Sequence, residues 1–222
     1  MRKLVIFDVD GTLVDSQGHI VSAMRAAFDV ANLPMPSRDA VLSIVGLSLP
    51  YAMRDLAPSA SDAVLAQMVE AYKTSFSENR LRADTPVPLY DGAEEAIAAL
   101  VARSDVMLAI ATGKSRRGLD ALLAEWSFAD HFVTTQCADD HPSKPHPSMV
   151  QACLTDCNIE AADAVVIGDT TYDMEMARAA RCDAIGVSWG YHGAGALTDT
   201  GAHRVIDHFG ALAGALDELW KD

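Results

Sequence analysis

Asp8 and Asp10 are carboxylates separated by one residue, directly after the apolar run Leu4-Val5-Ile6-Phe7. In extended chain, residues two apart point to one side. Two carboxylates held that way repel unless a cation sits between them or one keeps a proton. A solvated acidic turn has the same letters, but here Gly11-Thr12 follows and the pair stands at a strand end. Asp169 and Asp173 make a second acidic pair across a strand-to-helix junction. Alone, Asp173 is an ordinary first-turn carboxylate favoured by the helix dipole. Together the four offer only oxygen, with no histidine or cysteine nearby. That suits Mg²⁺, a hard cation that keeps several waters and takes one or two carboxylates plus a phosphate. Thr112-Gly113 lies where a helix begins. Its hydroxyl and backbone N–H groups can hold a phosphate, or can simply cap the helix. Lys144 sits in Ser143-Lys144-Pro145-His146-Pro147. A proline-stiffened loop that aims a lysine inward can neutralise phosphate charge, whereas an unaimed one leaves it in solvent.

Three apolar runs position these groups: Leu4–Phe7, Val106–Ala111 and Ala164–Ile167. Each is short and partly β-branched, as in a parallel strand buried on both faces, and each leads into a helical pattern. Sites in open α/β sheets form outside the carboxyl ends of such strands. Asp8, Asp10, Thr112 and Asp169 are therefore expected at one sheet edge. Phe132-Val133-Thr134, Ala184-Ile185-Gly186-Val187 and Arg204-Val205-Ile206 read as further strands. Helices are expected near 92–103, 115–125, 148–157, 172–180 and 209–220.

From Ser16 to about Arg82 the pattern is helical throughout, broken by Pro34, Pro36, Pro50 and Pro58. Strand-then-helix order resumes after Thr85-Pro86-Val87-Pro88, which reads as a hinge. The expected architecture is α/β: a Rossmann-like parallel-sheet core, residues 1–15 and 84–222, with an all-helical cap inserted at 16–83. An insertion of about 65 residues far exceeds an ordinary βα loop. Starting beside the site, it can act as a lid that excludes water and reads the substrate.

The chain has 222 residues, half of them hydrophobic, enough for a real core. Its formal charge is -14, from 17 basic and 31 acidic residues. Nucleic acid binding needs basic patches, and a membrane surface needs basic runs; neither is expected here. No stretch approaches the ~18 apolar residues of a spanning helix, and Leu4 begins a strand rather than a signal sequence, so a cytosolic location is expected. Cys137, Cys153, Cys157 and Cys182 are expected to be reduced and structural. Cys153 and Cys157 share a helix face, but no second pair completes a metal site.

Asp8-Val9-Asp10-Gly11-Thr12, then Thr112, then Lys144 in Lys-Pro-His-Pro, then Gly168-Asp169-x-x-x-Asp173 resembles the ordered four-motif signature of the haloacid-dehalogenase-like hydrolases. The resemblance spans the chain, inserted cap included, and is greatest to the branch typified by phosphoglycolate phosphatase. It implies that Asp8 is the nucleophile and becomes an aspartyl phosphate. Asp10 would protonate the leaving oxygen and then activate water. Thr112 and Lys144 would hold the transferring phosphate. Mg²⁺ would be bound by Asp8, the Asp10 backbone carbonyl and Asp169, with Asp173 acting through water or a neighbour. An aspartate at position 10 favours C–O–P chemistry over the dehalogenase and phosphonate-cleaving branches.

A small phosphorylated metabolite is the expected partner. Gly46-Leu47-Ser48 resembles the loop through which such caps touch substrate, and Gly113 would approach the phosphate. Arg25, Arg54, Lys73, Arg80 and Arg82 are the cap cations that could meet a substrate carboxylate, Arg54 foremost. Trp189-Gly190-Tyr191-His192-Gly193 resembles a loop bordering the entrance, and His146 is expected to orient the Lys144 loop. Two other readings stay open. One is a sugar phosphomutase of β-phosphoglucomutase type, which shares motifs and cap. The other is a phospho-acceptor domain like response-regulator receivers, which are shorter, lack a cap and place their acidic pair before the acceptor.

Overall fold

The computed structural model describes residues 2–82 and 87–221, the side chains of 80–82 aside. Six strands form the sheet: β1 (Lys3–Phe7), β2 (Val106–Thr112), β3 (Phe132–Cys137), β4 (Ala164–Gly168), β5 (Asp183–Val187) and β6 (Arg204–Ile206). Every pairing is parallel, in the order β3-β2-β1-β4-β5-β6. This is the Rossmann-like order, and the β1/β4 neighbours mark the point where it reverses and a crevice opens. Phe7 lies opposite both Ile110 on β2 and Ile167 on β4. That register brings Asp8, Thr112 and Asp169 out side by side at the carboxyl edge.

The near-continuous apolar strands follow from burial on both faces. Val5, Phe7, Leu108, Ile110, Val165 and Ile167 face one core cluster. Their alternates Leu4, Ile6, Ala109, Ala111, Ala164 and Val166 face the other. Among the described residues the α-helices are α1 (Gln17–Val30), α2 (Arg38–Ser43), α3 (Leu49–Leu56), α4 (Asp62–Arg82), α5 (Ala93–Val101), α6 (Arg116–Leu123), α7 (Ser148–Cys157), α8 (Thr171–Ala179), α9 (Ala194–Thr200) and α10 (Leu212–Leu219). Ile97 and Leu100 of α5, Leu119 and Leu122 of α6 and Leu212 and Leu216 of α10 cover the first face. Met149 and Val150 of α7 and Met174 and Met176 of α8 cover the second, where the small strand alanines leave room for methionine.

Helices α1 to α4 have an apolar cluster of their own. Ile20, Met24 and Phe28 of α1 pack with Met53 of α3 and Leu65, Met68 and Val69 of α4. The expected hinge begins at Thr85 and Pro86, which lie outside the described residues. No described helix is long and apolar enough to cross a membrane.

Two elements differ from the sequence reading. β3 runs on to Cys137, through Thr135 and Gln136. It is an edge strand held by ladder bonds to β2, so polar residues suffice there and the apolar signal stops early. Helix α9 was not expected, because its AGALTDT sequence buries only Leu197 and shows no stripe.

Candidate active site

Lys144 is buried although it carries a charge. Its Nζ donates to Asp8 Oδ1 and to Asp173 Oδ1, each at 2.6 Å. Asp8 sits at the end of β1, while Asp173 is in the first turn of α8. Asp173 also makes a capping box there: its Oδ2 accepts from Thr170 N and Oγ1, and the Thr170 hydroxyl accepts from Asp173 N. Asp169 follows β4. Its Oδ1 accepts from the Thr12 hydroxyl at 2.9 Å and its Oδ2 from the Tyr191 N–H at 2.9 Å. Gly11 has a φ of +86°, and a Cβ there would lie 2.2 Å from Asp169 Oδ2. The glycine of the first motif thus lets the turn after β1 close on β4.

Oxygens of Asp8, Asp169 and Asp173 lie within 4.8 Å of one another, all three residues buried. Burial disfavours their charges and each carboxylate repels the others. For Asp8, burial outweighs the attraction of Lys144; with repulsion from Asp173 and Asp10 added, its pKa is pushed up to about 7. Asp169 is pushed well above the carboxylate range by burial, then by Asp173 and Asp8. Burial works against the Lys144 charge, but Asp173 and Asp8 more than offset it and raise its pKa.

Asp10, two residues on, is half-buried. Its Oδ1 accepts from the Ser16 hydroxyl at 2.6 Å, and its Oδ2 meets Lys114 Nζ at 2.9 Å. Ser16 is the N-cap residue of α1 but makes no capping bond. Its hydroxyl is spent on Asp10 and shares a 3.2 Å contact with the Tyr191 hydroxyl. Thr112 Oγ1 accepts from Lys114 N at 3.3 Å. Lys114 Nζ also stands 4.6 Å from the centre of the Phe76 ring on α4, a cation–π contact between the sheet edge and the helices above it.

Those helices close over the site through Gly46-Leu47-Ser48. Ser48 N donates to the buried Ser143 hydroxyl at 2.8 Å. A Cβ on Gly113 would lie 2.4 Å from the Gly46 carbonyl oxygen. His192 accepts at Nδ1 from Thr171 N, which leaves Nε2 to donate to the Ser43 carbonyl at 3.0 Å. A cavity of about 650 Å³ lies between, with Asp8, Asp10, Thr112, Gly113 and Gly46 in its lining. Gly113→Ala should push the loop outward. We expect a KM raised about tenfold and a stability loss of about 1–3 kcal/mol, the range for overpacking, read by steady-state kinetics and thermal melting.

Asp8, Asp10, Thr112, Gly113, Lys144, Asp169 and Asp173 are thus gathered at one edge. Arg54 is not. Its guanidinium donates to the Ala60 carbonyl and pairs with Asp62, and it is absent from the described cavity lining. The acid eight residues along the chain offers it a nearer partner than the site does. Arg25 is exposed, and the side chains of Arg80 and Arg82 lie outside the described residues. Of the expected cap cations, Lys73 lines the cavity. His146 Nδ1 accepts from Ser148 N, and His146 N donates to the Ser143 carbonyl, so it shapes the turn that carries Lys144. Ser16 and Lys114 were missed as site residues, and Tyr191 was expected only as part of the entrance loop. Lys114 had a legible signal, its place directly after Thr112-Gly113.

The pattern described as Haloacid dehalogenase-like hydrolase matches residues 5–187. The protein named probable phosphatase IndB of Dickeya dadantii is 35% identical, over 100% of this chain and 96% of its own length. Tyrosine-protein kinase PtkA of Mycobacterium tuberculosis (strain H37Rv) is 31% identical, over 98% of this chain and 71% of its own. A phosphoglycolate phosphatase of Haemophilus influenzae is 26% identical, over 95% and 96%. A crystal structure of a hydrolase from Pseudomonas syringae shares the fold, with a TM-score of 0.85 at 24% identity, over 98% of this chain and 99% of that one. Matched by the family pattern from the first motif strand through β5, and similar along its full length to IndB, the chain belongs to the haloacid dehalogenase-like hydrolases.

Proposed function

We propose that the protein is a Mg²⁺-dependent phosphatase that hydrolyses a small phosphorylated metabolite through an aspartyl-phosphate (acyl phosphate) intermediate on Asp8, as phosphoglycolate phosphatase-like enzymes do. One observation supports this above the others: the Asp8 carboxylate is buried at the cavity floor, with Lys144 Nζ 2.6 Å away and two further carboxylates beside it. The donor set fits Mg²⁺. Three buried carboxylates against one lysine leave the cluster short of positive charge, and all its donors are hard oxygens. Asp8, Asp169 and the Asp10 carbonyl would hold the ion, with Asp173 acting through water.

In the first step an Asp8 oxygen attacks phosphorus, the ester P–O bond breaks, and Asp10 gives its proton to the leaving oxygen. In the second, Asp10 takes a proton from water, the water oxygen bonds to phosphorus, and the bond to Asp8 breaks to release phosphate. Splitting hydrolysis this way replaces one hard step with two easier ones. Lys144 and the Thr112 hydroxyl hold the phosphoryl oxygens, while Ser16 and Lys114 fix the Asp10 carboxyl toward the leaving group. Bound Mg²⁺ would supply charge that lets an anionic nucleophile approach an anionic phosphate. Helices α1 to α4 would serve as the cap that excludes bulk water. A cap over the site and Asp8 placed before Asp10 both speak against a receiver-type phospho-acceptor.

The test is phosphate release from a panel of phosphate esters, including phosphoglycolate and sugar phosphates, with and without Mg²⁺. Mg²⁺-dependent release supports the reading. Isomerisation of β-glucose 1-phosphate without release would establish a mutase instead. Because PtkA is named a tyrosine kinase, transfer to a protein acceptor in place of water would likewise replace the hydrolytic reading.

Mg²⁺ should also stabilise the fold in a pH-dependent way. Asp8 and Asp169 have raised pKa values, so the metal-free folded protein keeps protons that the unfolded chain has lost. Its stability from these groups therefore falls as pH rises from about 4 through about 7. Mg²⁺ must displace those protons, so its effect grows over the same range. At 100 times its dissociation constant a ligand adds about 2.7 kcal/mol. We expect the Mg²⁺-induced rise in Tm, measured against chelator, to be largest near pH 8 and small near pH 5. A shift independent of pH would contradict the carboxylate site.

A further inference from the structure

The cavity above Asp8 is larger than phosphoglycolate needs and is walled in good part by apolar side chains. Its volume is about 650 Å³, well inside the ~300–1,000 Å³ range of pockets that hold drug-sized ligands. Away from the sheet edge the walls are largely apolar: Ile20 and Met24 from α1, Ile44, Leu47 and Leu49 from the loop and α3, and Phe76 from α4. Tyr72, also in the lining, stacks on Phe76 with planes 19° apart and centres 5.9 Å apart. A two-carbon acid would need a cation for its carboxylate. Lys114 already meets Asp10 at 2.9 Å, while Lys73, 3.6 Å from Glu70, and Arg117, which donates to the neutral Ser77 hydroxyl at 2.6 Å, are exposed, so the apolar walls, not a lack of cations, are what disfavour a short acid.

From this juxtaposition we infer that the ester taken by the site carries a bulky body with a large, ring-bearing apolar face, rather than a short carboxylic acid. The inference rests on the phosphatase reading for the identity of the phosphate end. It goes further in naming what the rest of the molecule must be. The apolar walls cover the ring, Tyr72 and Phe76 offer it an aromatic edge or face, and the Lys73–Glu70 pair offers hydrogen bonds of both kinds to polar substituents.

Binding separates this from catalysis. Affinities of 3-phenylpropylphosphonate, propylphosphonate and 3-phosphonopropionate would be measured by calorimetry in Mg²⁺. Phosphonates cannot be hydrolysed here, and the last is the isostere of phosphoglycolate. We expect the phenyl compound to bind at least about 30-fold tighter than either other, equivalent to about 2 kcal/mol at ~1.4 kcal/mol per tenfold. Equal affinities, or tighter binding of 3-phosphonopropionate, would overturn the inference whether or not any ester is turned over. Phosphate release from 2-phenylethyl phosphate, followed in parallel, tests the phosphatase reading. Tight binding without release would sink hydrolysis and keep the specificity. Leu49→Gln should shrink the phenyl preference at least about threefold, or ~0.6 kcal/mol. An unchanged preference in a folded variant also counts against it.

Discussion

Asp8→Asn should remove phosphate release by at least about 10³-fold in kcat, the scale on which loss of a nucleophile is felt, while the protein stays folded. The carboxamide keeps the shape of the carboxylate, and its oxygen can still accept from Lys144 Nζ, which stands 2.6 Å from Asp8 Oδ1. The amide oxygen, however, is no nucleophile toward phosphorus. The stability side of the expectation runs opposite to ordinary intuition. Asp8 is one of three buried carboxylates facing a single lysine. Removing its charge relieves repulsion on Asp169 and Asp173, so in chelator the variant should melt at or slightly above the native temperature. Because one ligand oxygen is weakened, the stabilisation by Mg²⁺ should shrink. Kinetics and melting with and without Mg²⁺ check both halves. Retention of more than a few per cent of kcat means that Asp8 is not the nucleophile. A large loss of stability in chelator means that the cluster is a structural ion-pair network instead.

What could be read from the sequence follows from where the information is local. A parallel strand buried on both faces writes its own signature, as in Leu4–Phe7 and Ala164–Ile167, whose alternate residues feed opposite core clusters. The placing of Asp8, Thr112 and Asp169 at one edge was legible because parallel pairing brings all carboxyl ends together. Arg54 shows the limit. Its place on a cap helix was readable, but the direction of its side chain depends on Asp62 and Ala60, which claim it on the outer surface. Ser16 and Tyr191 show the same limit from the other side. They are 175 residues apart and meet beside Asp10, a closure no local pattern records. In isolation Ser16 is a helix N-cap and Tyr191 a loop aromatic. The cavity dimensions were equally hidden, because they depend on how α1 and α4 lean over β1 and β2. A motif therefore identifies the phosphate end of the reaction well before it says what the rest of the substrate looks like.

Lys144→Met tests whether the buried charges depend on one another, and it should be the most destabilising single change at the site. Lys144 is buried and has a carboxylate oxygen at 2.6 Å on each side. Methionine fills the space of the stem but leaves those carboxylates without a cation. Breaking a buried pair by removing one partner costs about 3–5 kcal/mol. In a chain of this size each kcal/mol moves Tm by roughly 2–4 °C, so the midpoint in chelator near pH 8 should fall by roughly 6–20 °C. The loss should not be constant. Asp8 already sits above its ordinary pKa although Lys144 pulls it down, and without the lysine it rises further. Its protonation in the folded state stabilises the variant at low pH, an advantage lost as pH climbs through that value. The gap between native and variant Tm should accordingly widen from about pH 5 to about pH 8. Mg²⁺ should narrow it, since the ion offers the same carboxylates a second source of positive charge. Lys144→Arg should restore little, because a planar guanidinium fork does not occupy the position of a compact ammonium between two oxygens. A variant that melts like the native protein at every pH would show that Lys144 is not what balances these acids. Catalysis gives the complementary reading: if Lys144 holds the phosphoryl group, kcat must stay low even under Mg²⁺ conditions that return the fold.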